Sequence, residues 1–184
     1  MATLEASLRR LKPHRVRRLV PRPVAALAKL DEASVRRRAG LLLDTTVYVD
    51  VLRGRGDALL AAALRACDLW HSAVALGELA RGLGADDPAR RGYRDDQRLT
   101  TALVARVPDH KVLEPDRATF ELAGIASGVL KRVLGLDRSA LARHGNDALL
   151  FFTARKHGLA VLTRNARDFD LLQQLEPQGK ILVY

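Results

Sequence analysis

The sequence predicts an α/β domain with a central, mostly parallel sheet covered by helices on both faces. Three observations carry this reading. Short apolar runs near Leu41, Leu159 and Ile181 do not alternate with polar residues, as strands buried on both faces require. Between them lie stretches long enough for helices, several with apolar residues at helical spacing. Connecting parallel neighbours takes a crossover, normally a right-handed helix, and the order of these segments supplies one each time.

The elements follow in chain order. Residues 1–39 hold eleven of the 31 Lys and Arg against three acids, and Pro13, Pro21 and Pro23 interrupt any helix, leaving Leu4, Leu8 and Leu11 one short amphipathic turn. This segment is expected to be a basic, solvated, flexible extension, with nucleic-acid binding and targeting as the other uses of such charge. A product initiated at Val35 would open a few residues before the first strand, and mass spectrometry of the native N-terminal peptide distinguishes the two starts. Residues 41–43 form the first strand, ending at Asp44, and Thr45 or Thr46 caps a helix over 47–52 that stops near Gly54 and Gly56. A helix over 57–66, a strand over 68–74 and a helix over 75–83 come next, the last repeating Leu76, Leu79, Ala80 and Leu83 before Gly84. Helices over 88–107 and 116–134 flank a strand at 111–113. Asn146 opens a helix to Lys156 that Gly158 closes; a strand over 159–162, a helix over 165–175 and a strand over 181–183 complete the order. The folded unit is expected to span 40–184.

At 184 residues and 48% apolar content, one domain can bury roughly 70% of the surface its unfolded chain exposes. Cys67 is the only cysteine, which excludes an internal disulfide and a cysteine-based zinc site and fits a reducing, cytoplasmic compartment. No apolar run approaches the roughly 20 residues of a membrane span, so a soluble protein without a membrane partner is expected. The net charge of +10 suggests a polyanionic partner, although from residue 40 onward 20 bases face 18 acids.

The chemistry-bearing candidates are acids. Asp44 ends the first strand, where ligands of parallel sheets gather, though a carboxylate there also caps the next helix. Glu78 flanks the apolar stripe of its helix, where pairing with Arg81 is the ordinary alternative. Asp147 follows the expected cap Asn146, so the helix dipole alone favours it. Asp168 stands three residues after Asn165, an arrangement like a capping box. Singly, none identifies a function. Together, three acids fall at strand–helix transitions on one sheet edge and Glu78 can join them. Four converging carboxylates repel unless cations neutralise them, and Mg²⁺ or Mn²⁺ does so while leaving room for phosphate oxygens. Phosphodiester hydrolysis by metal-activated water is the chemistry that follows.

The segments 41–46 (LLLDTT), 72–79 (SAVALGEL), 146–150 (NDALL) and 162–169 (LTRNARDF) resemble, in order and spacing, the motifs of PIN-domain nucleases, most closely the VapC-type toxins of bacterial toxin–antitoxin pairs. The resemblance runs from Leu41 to Tyr184. It implies a PIN-like three-layer fold and Mg²⁺-dependent endoribonuclease activity, with Mn²⁺ able to substitute. It also implies a homodimer and a cognate VapB-like antitoxin. Asp44, Glu78, Asp147 and Asp168 match the catalytic and metal positions, and Thr45, Thr163 and Asn165 match supporting polar ones. The extension of about 40 residues departs from the compact family form. Arg53, Arg55, Arg81 and Arg164, near the motifs, are candidates for RNA phosphate contacts. Trp70 and Phe169 are read as core rather than stacking groups, and His71, His144 and His157 receive no catalytic role. A Gly-rich phosphate loop and a Gly-x-Ser-x-Gly elbow are lacking, and Thr46 stands where a dehalogenase-like phosphatase needs a second Asp. Two alternatives remain: a structure-selective DNA nuclease, and a catalytically silent RNA- or protein-binding module. Cleavage of single-stranded RNA against DNA distinguishes the first, and calorimetric metal binding the second.

Overall fold

The computed structural model describes residues 4–184. Its frame is a five-stranded, all-parallel sheet in the order β3-β2-β1-β4-β5, formed by β1 (Gly40–Leu43), β2 (Asp68–Ser72), β3 (Val112–Leu113), β4 (Ala160–Thr163) and β5 (Lys180–Val183). β1 and β4 are central, and Leu41, Leu42, Val161 and Leu162 are sealed from solvent, as their unbroken apolar runs require. The chain leaves β1 toward β2 and later returns to β4 on the other side. The strand order therefore reverses between β1 and β4, and a crevice opens beyond their carboxyl ends.

The helices are α1 (Leu4–Leu11), α2 (Glu32–Arg36), α3 (Thr45–Leu52), α4 (Ala58–Ala66), α5 (Ala73–Ala85), α6 (Tyr93–Val104), α7 (Arg117–Leu134), α8 (Arg138–Lys156) and α9 (Ala166–Leu175). Aspartates mark many of the starts: Asp57, Asp116 and Asp137 each accept from the backbone N–H three residues on. Gly135, in the left-handed region at φ 66°, separates α7 from α8. Phe151 and Phe152 from α8 meet edge to face with ring centroids 5.4 Å apart, and with Phe169 they fill the interior. Phe169 is fully buried, as its apolar neighbours suggested. No helix among the described residues is long and apolar enough to cross a membrane.

Besides the helix expected over 88–107, which spans Tyr93–Val104, and the strand expected over 68–74, which ends at Ser72, three expectations of the fold differ from what is observed. The helix over 75–83 runs on through Gly84, an interior glycine being a modest cost that packing overrides. The helix expected to open at Asn146 begins eight residues earlier, at Arg138, because Asp137 already caps it by accepting from the Ala140 amide and Gly145 is tolerated within the turns.

The third difference is the N-terminal segment, which from Leu4 onward packs against the domain instead of standing in solvent. Leu11, Leu27 and Leu30 are buried. Arg10 pairs with buried Glu176, and the Arg22 Nε lies 2.6 Å from the fully buried Asp170. The Leu30 amide donates to the Val183 carbonyl at 2.8 Å, and the Val183 amide to Ala28 at 3.0 Å, so the segment bridges onto β5. Prolines limit helix here to short turns but do not prevent docking, and the acids that claim these arginines lie 166 and 148 residues away in sequence.

Candidate active site

Asp44 continues β1 into α3 and is the N-cap of that helix, the position expected of Thr45 or Thr46. Its Oδ1 accepts from the Thr45 amide at 2.7 Å. Its Oδ2 accepts from the Thr46 hydroxyl at 2.6 Å and, across the reversal, from the Thr163 hydroxyl of β4 at 2.7 Å. Burial pushes the Asp44 carboxyl up, and the two hydroxyls and the backbone N–H groups act against it. Thr163 is itself sealed from solvent and accepts from the Asn165 amide at 2.8 Å. The two central strands are thus joined at their ends through one carboxylate.

Glu78 reaches the same place from α5. Its Oε2 accepts from the Thr45 hydroxyl and its Oε1 from the Asn146 side-chain amide at 2.7 Å, with the Arg81 guanidinium 3.6 Å away. Asn146 is therefore no helix cap. It lies inside α8 and orients Glu78.

Asp147 stands midway along α8, so the helix-dipole argument for it does not apply. Burial first, then the negative charges of Asp44, Asp168 and Glu78, push its carboxyl well above the usual carboxylate range, while Arg143 opposes them. Asp168 occupies the first turn of α9. The capping box read from Asn165 and Asp168 does not form. Asn165 makes no side-chain cap bond, and its amide instead donates to Asp168 at 3.0 Å and, at 3.5 Å, to Asp147.

All four acids, with Thr45 and Asn165, line one open cleft of about 580 Å³. Thr163 sits behind it. The four arginines named from the sequence do not line it: Arg53 faces a separate groove, Arg55 and Arg81 are exposed, and the Arg164 Nε lies 2.9 Å from buried Asp50. Arg143 and Arg167 stand in the cleft instead, and so does His144. Arg143 and His144 precede Asp147 by four and three residues, a spacing that marks one helix face once α8 is known to start at Arg138. Arg167 adjoins Asp168 directly.

The donor set is one of hard carboxylate oxygens around a carboxyl that burial and then its charged neighbours destabilise as an anion, and a divalent cation relieves that repulsion. The residues present therefore fit a metal. Hydroxyl and amide donors hold the acids in position, which is how coordinating carboxylates are oriented elsewhere.

Comparison with known proteins gives a consistent picture. A family model described as PIN domain matches residues 41–174. Among solved structures, the chain is similar to VapBC2 from Rickettsia felis bound to a DNA fragment from its promoter, with a TM-score of 0.55 at 16% identity over 79% of this chain and 98% of that one. It is similar to FitAcB from Neisseria gonorrhoeae, with a TM-score of 0.55 at 20% identity over 77% and 96% of the two chains. It is also similar to VapBC-5 from Mycobacterium tuberculosis, a member of the VapBC family of toxin-antitoxin systems, with a TM-score of 0.53 at 20% identity over 79% and 99%. At such identities the likeness is one of fold. No curated protein matches.

Proposed function

The chain belongs to the PIN domain family, and on that premise we propose that it is a metal-dependent endoribonuclease, the toxin of a VapBC-type toxin–antitoxin pair. The observation that carries this reading is the convergence of Asp44, Glu78, Asp147 and Asp168 in one cleft, with Asp147 pushed up by burial and then by the charges of the other three. A binding-only module gains nothing from crowding carboxylates where phosphates must approach. Asp147 and Asp168 are the acids least occupied by internal donors, and together with Asp44 and Glu78 they would hold Mg²⁺, or Mn²⁺ in its place. When bound, a divalent cation lowers the pKa of water toward neutrality and offsets charge on the phosphate.

The chain's own groups do the rest. Thr45, Thr46 and Thr163 fix Asp44 and Glu78 through their hydroxyls. Asn165 holds Asp147 and Asp168 together. Arg143 and Arg167 offer guanidinium groups to the RNA backbone at the cleft. A VapB-like antitoxin in the cytoplasm would silence the site by placing its own Arg or Lys among the carboxylates, and a homodimer is the expected assembly.

The test is incubation of the purified chain with labelled total RNA and with single-stranded DNA, in Mg²⁺, Mn²⁺ or EDTA, beside Asp44→Asn and Asp147→Asn. Discrete, metal-dependent RNA fragments that vanish in both variants are expected. Cleavage of DNA alone would shift the substrate. RNA left intact by protein purified under denaturing conditions and refolded would overturn the enzymatic reading.

A further inference from the structure

His144 lies on α8 one turn before Asp147, and a ring nitrogen of His144 and carboxylate oxygens of Asp147 and Asp168 are all within 4.8 Å of one another. The imidazole is only 8% exposed, yet its Nδ1 has no hydrogen-bond partner among the described residues. A buried polar atom left in this way is costly unless something absent from the protein chain satisfies it.

The neighbouring donors narrow what that is. Asp44 Oδ2 already accepts from two hydroxyls, and each Glu78 oxygen accepts one internal donor. The two acids nearest His144 are engaged only through the Asn165 amide. The least committed donors in the cleft are therefore His144, Asp147 and Asp168, a nitrogen with two carboxylates.

We propose that His144 is a ligand of the cation, forming with Asp147 and Asp168 a mixed nitrogen–oxygen site that prefers Mn²⁺ or another first-row transition ion to Mg²⁺. The inference rests on the metal-dependent reading above and specifies the ion for it. Imidazole suits transition ions, whereas Mg²⁺ favours oxygen ligands in a near-ideal octahedron and keeps several waters. His144 and Asp147, one turn apart on a rigid helix, present their donors in fixed relation. Asp168, steadied by Asn165, supplies the third.

The experiment uses the full chain, stripped with EDTA and reloaded with one equivalent of Mn²⁺. Pulsed electron paramagnetic resonance then reads nitrogen coupling to the ion, and calorimetry compares Mn²⁺ and Mg²⁺ binding to wild type and His144→Asn. Coupling in the wild type and its loss in the variant are expected, with Mn²⁺ affinity falling at least the roughly 10- to 100-fold that loss of a group merely orienting a ligand costs, and Mg²⁺ affinity nearly unchanged. No other histidine among the described residues lines the cleft, so wild-type coupling alone decides the matter should the variant fold poorly. Bound Mn²⁺ without nitrogen coupling would overturn the histidine ligand and leave the four-carboxylate reading standing. Failure of the wild type to bind either ion would overturn both.

Discussion

Replacing Asp147 by Asn separates what the site needs from what the fold tolerates. Without a cation, the Asp147 carboxyl is held above its ordinary range by burial and by Asp44, Asp168 and Glu78. An acid whose value is raised in the folded state contributes stability at low pH and loses it as pH rises through the folded value. Each tenfold change in its dissociation constant corresponds to about 1.4 kcal/mol. Asp147 retains some exposure to the cleft, so solvent screens part of the repulsion. A gain of about 1–2 kcal/mol at pH 8 is expected for the neutral amide. For a chain of this size that corresponds to roughly 3–6 °C in Tm. The gain should shrink as pH falls from 8 through the raised value of the wild-type carboxyl, where that carboxyl takes up its proton. Differential scanning calorimetry of both proteins in EDTA across this range measures it. Saturating Mn²⁺ should reverse the order, because a ligand at 100 times its Kd adds about 2.7 kcal/mol to the form that binds it. An Asp147→Asn protein that is no more stable than wild type at pH 8 in EDTA would refute the reasoning, since the cluster would then carry no electrostatic strain.

Substitutions at three further positions test the site's support and the packing around it. Thr163→Val removes a sealed hydroxyl that serves Asp44 and the Asn165 amide, and should cost about 1–3 kcal/mol in urea unfolding and weaken metal binding, whereas Thr163→Ser should retain most of both. At Gly179 a Cβ would stand 2.1 Å from the buried Phe151 ring, so Gly179→Ala should destabilise by about 1–3 kcal/mol or more; Gly128→Ala, in open space on α7, should instead stabilise by about 0.5–1 kcal/mol in the same chemical denaturation.

Much of the sheet was legible because its strands are buried on both faces. The runs at 41–43 and 159–162 had no other plausible place, and Asp44 at the end of the first marked the ligand edge. The four acids were legible as a set, since their spacing matched a family pattern. What surrounds them was not. Asn146 reads as a helix start, so the register of α8 is lost, and with it the turn relation that sets Arg143 and His144 beside Asp147. Arginines near motifs in sequence were favoured instead, although Arg164 is drawn to Asp50, an acid whose burial no local pattern announced. The N-terminal segment was opaque for a similar reason: its charge is matched by Asp170 and Glu176, and nothing in a linear reading links partners so distant.

The docking of that segment bears on how another protein can bind this one. An open parallel sheet ends in two rows of unpaired amides and carbonyls, which a foreign strand can extend. Here one end is β3, only two residues long, and at the other the Val183 amide and carbonyl are already taken by Ala28 and Leu30. A visiting peptide finds little backbone to pair with at either end. Recognition must then run through side chains, on helix faces and across the mouth of the cleft, where charge and shape rather than strand register decide which partner fits.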